Sequence, residues 1–102
     1  MNTTSTNAFV AVSPGLYRLE AALTFASVAS LHADGLALID SAPDTLTFDL
    51  AAVSTVDSAG LALLIDWLAE AQSRSRALKY TEAPPTLLSL ARLSEVEKLI
   101  TG

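Results

Sequence analysis

The chain has 102 residues, 51% of them apolar and 6% aromatic, with a formal net charge of -5 and no cysteine. That length suits one domain with a real core, and the scarcity of aromatic residues predicts a core built mostly of Leu, Ala, Val and Ile. The acidic balance argues against a nucleic-acid binder, which would present clustered Lys and Arg. It equally disfavours an anionic membrane surface, and the lack of cysteine excludes disulfides and thiolate metal sites.

Residues 1–7 are polar and uncharged, which predicts a disordered tail and no signal peptide. The remainder, 8–102, reads as a single domain. Ala8 to Val12 is a short β-prone run, Ser13-Pro14-Gly15 is a turn signal, and Leu16 to Leu23 alternates in part, so a hairpin is expected. Thr24 is a candidate cap for a helix beginning near Phe25. Val28, Leu31, Gly35, Leu38 and Ile39 recur at helical spacing and stop before Pro43. Gly35 is the odd residue there, because glycine costs a helix interior about 1 kcal/mol relative to alanine.

Leu46 to Leu50 forms the next strand, flanked by Asp44 and by Ala51-Ala52. Val53 to Val56 reads as a loop or strand extension. Asp57, as N-cap, opens the strongest helix, which runs to about Ser73 with Leu61, Leu64, Ile65, Leu68 and Ala71 on its buried face. Trp67 lies beside that face. It is either the edge of the core or an aromatic anchor for a partner, a role in which Trp is enriched. Ser73 to Arg76 ends the helix with basic residues, which suit a helix C-terminus. Ala77 to Thr81 is the last strand, and Pro84 and Pro85 suit the first turn of a helix. Leu87, Leu88, Leu90, Ala91 and Leu93 supply that helix's apolar side, and a short helix, Glu95 to Ile100, finishes the chain. No apolar run reaches the roughly 20 residues needed to span a bilayer. The order predicts an α/β fold: a mixed sheet of about four strands with helices mainly on one face.

The informative stretch is Phe48-Asp49-Leu50, then Val53, then Val56-Asp57-Ser58-Ala59-Gly60-Leu61-Ala62-Leu63-Leu64. It runs strand, tight loop, helix start. The first amides of a helix have no internal partner and carry partial positive charge. Asp57 can satisfy one of them. Ser58 then sits at the first helical position with its hydroxyl near the surface, and Gly60 would let another chain approach the backbone closely. A phosphate on Ser58 would add about -1.5 to -2 charges and would be repelled by Asp57. Read from spacing alone, such a turn is either only a capped helix start or a docking surface that a single charge could block.

This stretch resembles the STAS family. Its anti-sigma factor antagonists carry Asp-Ser-Ser-Gly-Leu, and the small STAS subunit of the Mla-type phospholipid-transport ABC system carries Asp-Thr-Gly-Gly-Leu-Ala-Leu-Leu. Leu23-Thr24 falls where the family commonly has Leu-Asp, and Ala59 replaces the second serine of the antagonist motif. Gly60-Leu61-Ala62-Leu63-Leu64 and the short length look closer to the transport subunit. The resemblance implies a cytoplasmic, non-catalytic module held at the inner-membrane face through its partner, with no cofactor and no membrane insertion. Its partner would be the ABC transporter's nucleotide-binding ATPase, in a system that maintains outer-membrane lipid asymmetry. The alternative is an anti-sigma factor antagonist switched by a kinase acting on Ser58. Asp57, Ser58, Ala59, Gly60, Leu61 and Trp67 are the expected partner-binding residues.

Enzymatic alternatives fare worse. A serine hydrolase elbow flanks its nucleophile with glycines, a pattern missing around Ser58, and the single histidine, His32, falls inside a helix. A receiver domain needs an acidic pair after its first strand to hold Mg2+, and here Ser13-Pro14 follows. No glycine-rich phosphate loop is present, and no cluster of His, Cys, Asp and Glu residues has metal-ligand spacing.

Overall fold

The computed structural model describes residues 8–41 and 45–102. The tail expected over residues 1–7, the helix stop at Pro43 and the flanking Asp44 lie outside them. The elements are β1 (Phe9–Ser13), β2 (Leu16–Leu19), α1 (Val28–Ser41), β3 (Thr45–Asp49), α2 (Ser58–Ser73), β4 (Ala77–Thr81), α3 (Pro85–Leu93) and α4 (Glu97–Thr101). The four strands form one mixed sheet in the order β1-β2-β3-β4. β1 runs antiparallel to β2, and β2, β3 and β4 are parallel. This is the α/β architecture expected from the pattern of elements.

The hairpin turns on Gly15, whose φ of 78° is the left-handed conformation that glycine adopts without steric cost. Side chains alternate across each strand. Leu46, Phe48 and Tyr80 are buried on the helix side, while Leu16, Arg18, Thr47, Asp49, Lys79 and Thr81 fall in register on the other side. That second face is polar in the main and, among the described residues, carries no helix, as suits a sheet covered on one side.

α2 is the central helix: it packs on α1, β4, α3 and α4. It therefore buries more than one stripe, namely Gly60, Leu61, Leu63, Leu64, Trp67 and Ala71. Ile65 and Leu68, expected on the buried face, are only half-buried, because the contact with α1 turns the buried side toward Trp67.

Trp67 is 0% exposed, which corrects its assignment as a partner anchor. Its ring fills the slot that Gly35 leaves in α1. A Cβ at position 35 would fall 2.2 Å from the indole Cε2. The indole N–H points to the carbonyl of His32 at 3.4 Å. The glycine that weakened the helix pattern is thus the receptor for the tryptophan. The core is mostly Leu, Ile, Val and Ala, as expected, and the few aromatic residues gather at its centre. Phe9 and Phe48 lie 4.6 Å apart, Phe48 meets Trp67 edge-on at 5.6 Å, and Tyr80 lies 6.2 Å from Phe48. The buried Tyr80 hydroxyl donates to the carbonyl of Leu64 at 2.6 Å, and burial pushes its phenol well above the usual range.

Other boundaries shift for local reasons. β2 stops at Leu19 instead of Leu23, and Leu23 instead makes an isolated parallel bridge to Val56. α1 starts at Val28, after a turn organised by Ser27, not by the side chain of Thr24. Ser27 Oγ receives the Thr24 amide at 3.0 Å and donates to the Ala22 carbonyl at 2.7 Å. Leu93 is 84% exposed, because α3 ends there and turns away through Glu95, whose φ is 61°. α4 begins at Glu97 rather than at Glu95 for the same reason. Arg74 and Arg76 do more than end α2. Arg74 bonds Asp40 and Glu70 at 2.5 and 2.6 Å, and Arg76 reaches the Asp40 carbonyl at 3.0 Å. They tie the end of α2 to the end of α1.

Candidate functional site

The junction between β3 and α2 is built by one carboxylate. Asp57 takes an extended backbone, as an N-cap must, and its Oδ1 accepts the Gly60 amide at 3.0 Å. Its Oδ2 accepts the amide of Phe25, 32 residues earlier, also at 3.0 Å. The two amides, Phe25 first, hold the carboxyl of Asp57 below its ordinary range. Backbone bonds complete the seam: the Leu23 amide donates to Thr55 at 2.7 Å, and the Asp57 amide donates to Leu23 at 3.0 Å. The loop after β2 and the loop after β3 are thus welded into one surface.

Gly60 explains how closely they approach. A Cβ there would lie 2.0 Å from the Leu23 carbonyl oxygen. The close approach expected at Gly60 is real, but the approaching chain is the protein's own. Gly60 and Leu61 are buried and support the junction from beneath, which corrects their assignment as direct contacts. Asp57 and Ala59 are half-buried, and Ser58 is exposed. Ala26, Ala51, Ala52, Ser54 and Thr55 are exposed on the two loops. No pocket opens among the described residues, so the site is a surface.

Phe25 was not among the expected site residues. It is 81% exposed and tethered through its backbone to Asp57, one residue from Ser58. The sequence signal was there: Phe25 interrupts Thr24-Phe25-Ala26-Ser27 and lies outside the apolar spacing of α1.

His32 does not approach Ser58 as a base would; its Nε2 lies 2.9 Å from Asp66 Oδ2. The structure also brings together what spacing along the chain did not show. His32 of α1 joins Asp66 and Glu70 of α2, with one ligand atom from each within 4.8 Å of the others. The expectation that no His, Asp and Glu residues gather is corrected by this pairing of helices. Asp49 stays local, accepting the Ala51 amide at 2.9 Å.

Among solved structures, the "Structure of the Anti-Sigma Factor Antagonist SpoIIAA in its Unphosphorylated Form" superposes with a TM-score of 0.70 at 19% identity, over 91% of this chain and 84% of that one. At that identity the likeness is one of fold. None of the curated proteins compared matches the chain. The family described as "Mlab, STAS domain" matches residues 12–101, a span that contains all of α1 to α4 and the whole Asp57 junction. The chain belongs to this family of STAS domains.

Proposed function

We propose that the chain is a non-catalytic cytoplasmic STAS subunit, one domain over residues 8–102. It would bind and support, or regulate, the nucleotide-binding ATPase of an Mla-type phospholipid-transport ABC complex that maintains outer-membrane lipid asymmetry. The family match supports the branch. The observation that carries the docking site is the welded junction. Ser58 is exposed at the start of α2, and Asp57 holds the loop that displays Phe25 beside it. Among the described residues no helix is long and apolar enough to cross a membrane, so in this reading the inner-membrane face is reached through the partner. The mechanism is preferential binding to one state of the ATPase, which shifts its equilibrium. A rigid, preorganised surface serves this well because little order is lost on docking.

One observation favours a second reading, an anti-sigma factor antagonist switched by a kinase acting on Ser58. The Ser58 hydroxyl is exposed, and a phosphate on it would crowd the carboxylate of Asp57. Like charges at that distance would weaken the Asp57 bond to the Phe25 amide and loosen the weld. A pull-down of the chain from its native cytoplasm, read by mass spectrometry, separates the two. Recovery of an ABC ATPase supports the transport reading, and recovery of an anti-sigma kinase in its place overturns it.

A further inference from the structure

His32 is the only histidine of the chain, and it faces two carboxylates across the α1–α2 contact. Asp66 and Glu70 stand one turn apart on α2, the i, i+4 spacing that puts two side chains on one helix face. His32 Nε2 lies 2.9 Å from Asp66 Oδ2, and the ligand atoms of all three residues fall within 4.8 Å of one another. A four-coordinate zinc ion with bonds of about 2.0–2.2 Å sets neighbouring ligand atoms roughly 3.3 Å apart. Small rotations of these side chains reach that spacing. The His32 and Asp66 side chains are 42% and 49% exposed, so they have room to turn and are open to solvent.

Arg74 holds Glu70 Oε1 at 2.6 Å. A carboxylate offers about four lone-pair sites, so that ion pair and a metal can share the group. Arg74 is itself held by Asp40, which fixes Glu70 toward the α1 side. Two ordinary surface ion pairs would account for His32–Asp66 and for Arg74–Glu70 taken separately. They do not require all three donors to converge from two helices.

We propose that His32, Asp66 and Glu70 form a binding site for a borderline divalent transition-metal ion, with Zn2+ as its probe, that pins α1 to α2. One imidazole with two carboxylates suits zinc, cobalt, nickel or copper better than calcium or magnesium, which take oxygen alone. Three protein ligands leave one position for water or for a group from outside. Asp66 lies eight residues along α2 from Ser58, about 12 Å at the helical rise, so this site is separate from the docking junction and independent of the function proposed for it.

The molecule carries its own reporter. Its one tryptophan, Trp67, follows Asp66 in sequence and points its indole N–H at the His32 carbonyl. The test is thermal unfolding of the whole chain in EDTA and across a Zn2+ titration, together with Trp67 fluorescence across a Co2+ titration. Wild type is expected to melt higher with Zn2+, on the order of 5 °C or more for each tenfold excess over Kd. Co2+ should quench Trp67 with one-to-one saturation. His32→Asn should abolish both responses, and Glu70→Gln should weaken binding by about tenfold or more, since even outer-shell partners matter that much. Melting each variant in EDTA checks that it folds. No metal response in wild type, or an undiminished response in a folded His32→Asn, overturns the site.

Discussion

One helix serves two opposite purposes along its length. At its start, α2 displays: Ser58 is exposed, and the residues that hold it in place work through backbone amides and a single carboxylate. At its middle, α2 anchors: Trp67 is wholly buried, seated in the notch of Gly35 and against Phe9 and Phe48. Both regions contain a glycine where a Cβ would collide, Gly60 with the Leu23 carbonyl and Gly35 with the indole. One glycine brings two loops together to make a surface, and the other brings two helices together to make a core. The aromatic centre fixes the middle of α2 in the core while its first turn stays at the surface.

Substitutions should part the two regions sharply. Trp67→Ala is expected to cost the most, about 3–5 kcal/mol, because it empties the centre of an interlocked aromatic cluster. Chemical denaturation would read it as a large fall in midpoint. Gly35→Ala should cost about 1–3 kcal/mol, the range for overpacking a well-filled core, and the fluorescence of Trp67 should shift because the indole must move. Tyr80→Phe should cost about 1 kcal/mol, the net worth of a buried hydrogen bond. It should also remove an alkaline weakness. The raised phenol of Tyr80 lends stability that is complete below the ordinary value of 10.0 and lost as pH climbs toward the folded value. Wild type should therefore lose stability above about pH 10 faster than Tyr80→Phe does.

The junction should behave in the opposite way. Phe25→Ala is expected to change stability by less than about 0.5 kcal/mol, as surface substitutions do, while weakening the partner complex. Asp57 gives the junction a distinct acid signature. Its lowered carboxyl contributes stability that is complete above the ordinary value of 3.8 and is lost as pH falls through the lower folded value. Asp57→Asn should flatten that part of the acid unfolding curve, followed by circular dichroism.

How much of this was legible in the sequence depends on the range of the interaction. The order of elements, the hairpin turn at Gly15 and the cap at Asp57 are set by local patterns, and the structure has them as expected. Trp67 was misplaced because helical periodicity reports one buried stripe, whereas α2 is covered by the sheet and by α1 together. Gly35 read as a weakness because its reason, the indole, is 32 residues away. Asp57 read as a cap and a contact residue, and its bond to the Phe25 amide escaped notice because that amide lies as far upstream. The grouping of His32 with Asp66 and Glu70 was equally invisible to spacing along the chain. Local chemistry placed the elements; contacts between distant residues decided what each side chain does.

In the function proposed above, the start of α2 is the docking surface, and its chemistry is separable from the stability of the fold. The direct measurement is a titration of wild type and Ser58→Glu against the partner that co-purifies with the chain, with the melting temperature of each protein taken in parallel. An acidic residue is tolerated or favoured in the first helical turn, so both proteins should melt alike. The added charge and bulk should weaken the complex by about tenfold or more, as for a substitution at an interface core. A Ser58→Glu protein that binds that partner as tightly as wild type would place the interface elsewhere on the molecule.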